Sequence, residues 1–159
     1  MIRVLLVLAL VACGPGVKGG PTMNNSMTKP DPTPQESAVI STDILAREPV
    51  ANAAQVKHIL IGWNDGGEAR DPRAAKRTKH DAEDLVRTLL EQARGGGDFD
   101  AMMKQYSEDP GSAAHGTAYK VSPDAQLVIE FKQLGLRLRI DEVGVVQSDF
   151  GFHIMKRVD

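Results

Sequence analysis

The aromatic residues lie only in the later part of the chain, and this limits where a folded core can form. All seven follow residue 60, whereas six of the nine prolines precede residue 50. Aromatic side chains bury the largest apolar areas. Stretches rich in glycine and proline bury too little to offset the entropy lost on ordering. The sequence therefore predicts one folded domain over residues 55–159, preceded by a Gly/Pro-rich tether over residues 13–54, in which residues 41–54 are able to form a short helix or a docking segment.

The first residues predict a signal for export. An unbroken apolar run from Val4 to Ala12 follows the single basic residue Arg3. This run is too short to span a bilayer, which needs about 20 residues, but it suits the apolar region of a secretory signal peptide. Its end, Leu-Val-Ala-Cys, resembles the lipobox of bacterial lipoproteins, which implies cleavage of residues 1–12 and acylation of Cys13. We expect a lipid anchor on the non-cytoplasmic side of a bacterial membrane, in the cell envelope; the alternative is a plain signal peptide cleaved near a cysteine.

Charge and cysteine content exclude several classes of protein. The chain has 19 basic and 21 acidic residues, whereas nucleic-acid-binding domains usually carry a large basic excess. One cysteine makes neither an internal disulfide nor a cysteine-rich zinc site. His80 and His115 have no second ligand at a useful spacing. We therefore expect neither binding of nucleic acid nor a metal site, and we also expect a monomer.

Hydrophobic spacing predicts alternating strands and helices in the later part of the chain. Apolar residues recur at helical spacing from Ala82 to Ala93, and Gly95 ends this helix. Asp98 is a typical cap for the next helix. Further predicted elements are strands at 56–61, 116–121, 143–147 and 152–158, a helix opened by Ser122-Pro123 and stopped by Gly135, a helix entry at Asp71-Pro72, and a turn at 108–111. This order is typical of an α+β fold with helices packed on a small antiparallel sheet.

Four motifs then occur in order along the predicted domain. They are Gln55–Ile61 (QVKHILI), Gly97–Phe99 (GDF), Tyr106–Ser112 (YSEDPGS) and Asp149–Arg157 (DFGFHIMKR). Together they resemble the parvulin family (PpiC/rotamase type) of peptidyl-prolyl cis–trans isomerases over nearly all of residues 55–159. The resemblance implies a four-stranded antiparallel sheet surrounded by about four helices, with no cofactor. It also implies a foldase or chaperone that acts on proline-containing polypeptides.

The resemblance also assigns the site. The resemblance places the family's paired sheet histidines at His58 and His153. It places the residue that faces the reacting amide at Asp109, and the hydroxyl beside the second histidine at Ser148. Each of the two histidines is alternatively a satisfied core residue, and Asp109 alternatively caps the turn before Pro110. The apolar and aromatic residues expected to contact proline are Leu127, Phe131, Tyr119 and Phe152, with Phe150 left open between pocket and core.

Two further features bear on activity. The loop after the first strand is basic, and Arg70, Arg73 and Arg77 are candidates for contact with an acidic or phosphorylated residue before proline, although a solvated loop explains them as well. The stretch from Ala113 to Tyr119 departs from the family pattern, with alanine where a pocket leucine is expected. The main hypothesis is therefore an active isomerase, and the alternative is a catalytically weak binding module or holdase.

Overall fold

A computed structural model describes residues 37–65 and 71–159. The signal peptide, Cys13, most of the tether and Arg70 lie outside this part of the chain. Within it, five α-helices and four strands follow one another. They are α1 (Thr42–Leu45), β1 (Ala54–Ile61), α2 (Lys79–Arg94), α3 (Phe99–Tyr106), α4 (Pro110–His115), β2 (Tyr119–Val121), α5 (Ile129–Gly135), β3 (Val143–Ser148) and β4 (Gly151–Arg157), with a short 3₁₀ helix at Ala74–Lys76 between β1 and α2.

The four strands form one antiparallel sheet in the order β2-β1-β4-β3. The central strands β1 and β4 are paired so that Leu60 lies opposite His153, and His153 in turn lies opposite Val146 on β3. The predicted α+β class and the four-stranded antiparallel sheet with surrounding helices are confirmed.

Each face of the sheet carries its own buried core, because side chains alternate along a strand. Helices α2 and α3 cover one face with the buried residues Val86, Leu89, Phe99 and Met103, which cluster with Ile59, Phe152 and Ile154 of the strands. Helices α1 and α5 cover the other face with Ile44, Phe131 and Leu134, which cluster with Val56 and Met155. The two central strands therefore divide their side chains between two cores, and His58 and His153 share the face covered by α5.

Local signals fix the ends of α2 and α3. Thr78 accepts a hydrogen bond from the Asp81 amide, and the Asp81 side chain accepts one from the Thr78 amide, which makes a capping box at the start of α2. The Asp98 carboxylate accepts hydrogen bonds from the amides of Asp100 and Ala101 at the start of α3, as predicted. Glycine 95 follows the last residue of α2, also as predicted.

Three local predictions differ from the structure. Residues 110–115 form α4 where a turn was predicted, because Asp109 caps it and Pro110 suits its first position. The helix predicted from Ser122 begins only at Ile129, after turns whose amides bond to the carbonyls of Ser122 and Ala125. The Asp71-Pro72 entry leads only to the short 3₁₀ helix.

Residues 37–50, here called the strap, pack against the sheet although the domain was predicted to begin at Gln55. Val39 is buried in the core under α2, and Ile44 is buried in the core under α5. Between them Ser41 meets the outer edge of β3, where its amide donates to the Val145 carbonyl at 2.9 Å and its hydroxyl accepts from the Val145 amide at 2.9 Å. The packed domain therefore includes the strap. Over residues 37–65 and 71–159 no helix is both long and apolar enough to traverse a bilayer.

Candidate active site

A pocket of about 310 Å³ opens on the sheet face that α5 covers. Its walls come from strands β1, β2 and β4, from α5 and the residues just before it, from the start of α4 and from the β3–β4 turn. The residues that line it are His58, Leu60, Asp109, Tyr119, Gln126, Leu127, Val128, Phe131, Phe150 and His153. Most of these side chains are apolar or aromatic, and Asp109 is the acidic residue among them.

A chain of hydrogen bonds runs beneath this pocket. His58 Nε2 lies 3.3 Å from Asp109 Oδ2, and His58 Nδ1 lies 3.2 Å from His153 Nδ1. His153 Nε2 lies 2.7 Å from Ser148 Oγ, which also accepts from the Phe150 amide at 3.1 Å. The structure thus brings together the four residues that the sequence pointed to as catalytic.

The direction of this chain follows from its two ends. The Asp109 carboxylate only accepts, so His58 Nε2 donates to it, and a neutral His58 then accepts through Nδ1 the proton carried by His153 Nδ1. His153 Nε2 in turn accepts the Ser148 hydroxyl proton, and Ser148 Oγ accepts from the Phe150 amide, which only donates. Both imidazoles are neutral in this arrangement. Burial, and next the repulsion that a charged His58 would exert, lowers the pKa of His153 to about 3, which agrees with a neutral His153 ring.

Asp109 is held as an anion. Its Oδ2 atom accepts from His58, from the Ser112 amide at 2.8 Å, from the Ser112 hydroxyl at 2.7 Å and from the Tyr119 hydroxyl at 2.8 Å. The hydrogen bond from His58, followed by those from Ser112 and Tyr119, holds the pKa of Asp109 well below its ordinary value despite partial burial. Burial, and then the bond to Asp109, raises the pKa of Tyr119. Asp109 therefore combines both roles considered from the sequence, the cap of α4 and a carboxylate in the pocket wall.

Aromatic rings fix the orientation of the buried imidazoles. Tyr119 and Phe131 each meet the His58 ring edge-on at a centroid distance of 5.1 Å. His153 stacks on His58 at 5.4 Å and meets Phe131 edge-on at 5.4 Å. These contacts leave the rings little freedom to turn, so the hydrogen-bonded chain is a rigid floor for the pocket.

The β3–β4 turn positions Ser148 and His153 and depends on glycine. Gly151 has a φ of 136°, and a Cβ atom there would lie 2.5 Å from the Ile61 carbonyl oxygen. Glycine alone accepts this conformation and this close approach without strain. It therefore allows β4 to begin beside the end of β1, where the imidazole pair forms.

The sequence of the chain also matches a known protein family. A family model described as the PPIC-type PPIASE domain matches residues 42–159. The chain belongs to this family.

Curated relatives and solved structures agree with the family. The chain is 34% identical over 106 residues to foldase protein PrsA 4 of Bacillus cereus, which covers 66% of this chain and 31% of that protein. It is 34% identical over 114 residues to chaperone SurA of Hahella chejuensis, which covers 69% of this chain and 23% of that protein. The peptidyl-prolyl isomerase ESS1 of Candida albicans shares the fold, with a TM-score of 0.59 and 20% identity over 68% of this chain and 63% of that one. The chain thus spans less than a third of the length of the PrsA and SurA relatives.

Within this PpiC-type domain, three of the four predicted proline contacts line the pocket, namely Leu127, Phe131 and Tyr119. Phe152 does not line it. Its side chain is fully buried on the opposite face of the sheet, with its ring centroid 4.9 Å from that of Trp63. Alternation along β4 explains the difference, because Phe152 adjoins His153 and so points the other way. Phe150, in the turn, lines the pocket instead.

Two of the three predicted basic contacts, Arg73 and Arg77, bind the chain itself, and Arg70 lies outside the described residues. Arg77 pairs with Glu108 at 2.7 Å and donates to the Gly62 carbonyl at 2.7 Å. Arg73 pairs with Asp71 at 2.9 Å and donates to the Ser107 carbonyl at 2.9 Å. Neither lines the pocket of this PpiC-type domain, and acceptors within the fold engage both guanidinium groups. The sequence analysis did not identify Glu108 as the partner of Arg77. Its position directly before Asp109 was the available indication that it belongs to the surroundings of the site.

The site offers no arrangement for covalent or metal chemistry in the described residues. In residues 37–65 and 71–159 no three His, Cys, Asp or Glu side chains converge as metal ligands. The Ser148 hydroxyl is engaged with a neutral imidazole below the pocket floor rather than exposed to a substrate. What the pocket can do is hold a small apolar ring beside a fixed negative charge.

Proposed function

We propose that this chain is a peptidyl-prolyl cis–trans isomerase that acts on Xaa-Pro bonds in polypeptide clients. One observation carries the proposal: an apolar pocket walled by Leu127 and Phe131 lies over a rigid hydrogen-bonded chain that ends in the Asp109 anion. Membership in the PpiC-type family and similarity to proteins named foldase and chaperone support polypeptide clients.

The chemistry needs no nucleophile. Rotation about a peptide bond crosses a barrier of about 18–20 kcal/mol because it breaks amide resonance. At an Xaa-Pro bond this takes tens to hundreds of seconds without a catalyst. The planar amide carries partial negative charge on its oxygen and partial positive charge on its nitrogen, and the twisted amide has lost this separation. An environment that disfavours the charge-separated form therefore accelerates rotation.

Each part of the pocket has a role in this mechanism. Leu127 and Phe131 hold the proline ring and exclude water, which favours the less polar, twisted amide. The Asp109 carboxylate, placed near the carbonyl oxygen of the preceding residue, disfavours negative charge on that oxygen and so weakens the resonance. His58 and His153 act as positioning residues, since they hold Asp109 from beneath and present no free proton donor to the substrate.

The geometry also favours particular clients. Asp109 gives the described pocket wall a negative charge, while Arg73 and Arg77 are engaged by Asp71 and Glu108. We infer that the clients are unmodified proline-containing segments. Peptides with glutamate or phosphoserine before proline are then isomerised no faster than peptides with alanine or lysine there, at low and at high salt alike.

An exchange experiment tests the activity. The full chain, purified in mild detergent, is added at substoichiometric amounts to proline peptides, and cis–trans exchange is measured by NMR. We expect accelerated exchange that disappears when Phe131 is replaced by alanine and persists when the exposed His115 is replaced by glutamine. Binding of the peptides without accelerated exchange would refute the enzyme and favour the holdase alternative.

We further propose that the protein works in the cell envelope, anchored to a membrane by lipid on Cys13. The support is the apolar run that ends in Leu-Val-Ala-Cys. Replacement of Cys13 by serine then shifts the protein from the membrane fraction to the soluble fraction, or leaves the precursor unprocessed, as fractionation and mass spectrometry would show. Unchanged mass and unchanged partitioning would refute the anchor.

A further inference from the structure

A largely buried ion pair lies beside the candidate active site, because its acidic member directly precedes Asp109. The Glu108 side chain is 3% exposed and its Arg77 partner 15% exposed, and Arg77 Nη1 lies 2.7 Å from Glu108 Oε1. The second carboxylate oxygen, Oε2, accepts from the Gly62 amide at 2.6 Å. The same Arg77 nitrogen also donates to the Gly62 carbonyl at 2.7 Å. Glu108 and Arg77 thus bind the amide and the carbonyl of Gly62, the residue that follows β1.

The backbone next to this pair is also attached to β1. The Glu108 amide donates to the Leu60 carbonyl at 2.9 Å, and the Leu60 amide donates to Ser107 Oγ at 3.2 Å. Glu108 immediately precedes Asp109, and β1 carries His58 two residues before Leu60. The two partners of the Asp109–His58 contact therefore sit on backbone segments that the ion pair and these bonds lock together.

The cost of burying two charges indicates what this pair is for. Removal of two charged groups from water is expensive, and a well-packed apolar pair often gives equal or greater stability. Charge-assisted hydrogen bonds, in contrast, fix distance and direction more strictly than apolar contacts. Neither side chain lines the pocket, so any effect on isomerisation must pass through the pocket residues that the pair holds in place, Asp109 and its partner strand β1.

We propose that the Arg77–Glu108 pair positions Asp109 for isomerisation. The proposal rests on the proposed isomerase function. Both residues are positioning residues: they set the height and direction of the Asp109 carboxylate against His58 and touch no substrate. Arg77, predicted from the sequence as a contact for an acidic client, thus binds Glu108 of its own chain.

The test compares this pair with a second ion pair of the same length. Arg47 Nη1 lies 2.7 Å from Glu142 Oε1, and neither residue lines the pocket. Glu108→Gln and the control Glu142→Gln each remove one charge and keep the side-chain shape. Both are made in the full chain, and kcat and KM are measured by NMR exchange together with the free energy of unfolding and the ¹⁵N signals of the histidine side chains.

We expect Glu108→Gln to lower kcat about 10-fold with KM changed less than twofold, since small displacements of a catalytic group reduce the rate steeply while the proline pocket is untouched. The His58 Nε2 signal should shift as its bond to Asp109 weakens. Glu142→Gln should lose stability only. Arg77→Lys, which keeps the charge but not the fork of donors, should show the same effects more weakly, and it decides the question if Glu108→Gln does not fold.

Two results separate the possible failures. If the wild-type chain is active and Glu108→Gln keeps both its kcat and its His58 signal, the positioning role is refuted. If the wild-type chain is inactive, the proposed function fails. The positioning role is then decided by the His58 Nε2 signal of Glu108→Gln: a shifted signal supports it, and an unchanged signal refutes it.

Discussion

Replacement of Asp109 by asparagine and by alanine should separate its two roles, because one oxygen serves both the α4 cap and the contact with His58. Asparagine caps helices about as well as aspartate but carries no charge. Alanine loses the cap, at ~1 kcal/mol, and also leaves the buried Ser112 hydroxyl and the His58 N–H without their acceptor, at ~1–3 kcal/mol in all. We expect Asp109→Ala to lower the free energy of unfolding at pH 7 by about 2–4 kcal/mol, and Asp109→Asn by about 1 kcal/mol.

The rate should behave differently, since both variants remove the negative charge beside the amide. We expect both to lower kcat/KM by roughly 10–100-fold, about 1.4–2.7 kcal/mol of transition-state stabilisation. Stability is measured by urea denaturation followed through Trp63, which packs against Phe152 in the core. Activity is measured by NMR exchange where both variants are folded. An Asp109→Asn variant that isomerises at the wild-type rate would refute the role of the charge, and an Asp109→Ala variant as stable as Asp109→Asn would refute the role of the cap.

Three further predictions concern the surroundings of this residue. Burial lowers the pKa of His153 from 6.5 to about 3, so between these values the unfolded chain binds a proton that the folded chain does not, and stability decreases as the pH falls. His153→Gln should abolish this pH dependence of the free energy of unfolding, which amounts to at most about 1.4 kcal/mol per pH unit. His80→Gln, at an exposed position, should retain it, and urea titrations at pH 4.5 and 6.5 distinguish the two. Phe150→Ala should raise KM with a small loss of stability, while Phe152→Ala should cost about 3–5 kcal/mol of stability with KM unchanged in the folded fraction. Equal effects of the two would contradict the placement of Phe150 in the pocket and of Phe152 in the core on the opposite face of the sheet. Ser41→Ala should lower the free energy of unfolding by ~1–3 kcal/mol, because a buried β3 amide loses its acceptor, and an altered kcat/KM in that variant would argue against a purely structural role.

Patterns confined to neighbouring residues were readable from the sequence. The apolar stripe from Ala82 to Ala93 lies within α2, and Asp98 caps α3. The β-rich run at 56–61 lies within β1. The proximity of the two histidines and Asp109 could be predicted because the order and spacing of the four motifs are typical of the whole fold.

What the sequence did not reveal depends on contacts between distant residues. The apolar side chains of the strap show no strand or long-helix spacing, and Ile44 becomes a core residue only because the sheet and α5 supply its surroundings. Phe150 and Phe152 are chemically identical, so only the point at which the β3–β4 turn passes into β4 decides which of them lines the pocket. Arg77 carries a charge that suits either a client or an interior partner, and nothing local indicates that Glu108 lies within reach.

The strap has a practical consequence for the handling of this protein. A shortened chain that begins at Gln55 would leave the Val145 amide and carbonyl on the outer edge of β3 without the partners that Ser41 provides. It would also leave an opening in each core where Val39 and Ile44 now lie. Exposed strand edges pair readily with other chains, so this fragment should aggregate at concentrations where one that begins at or before Ser37 stays dispersed.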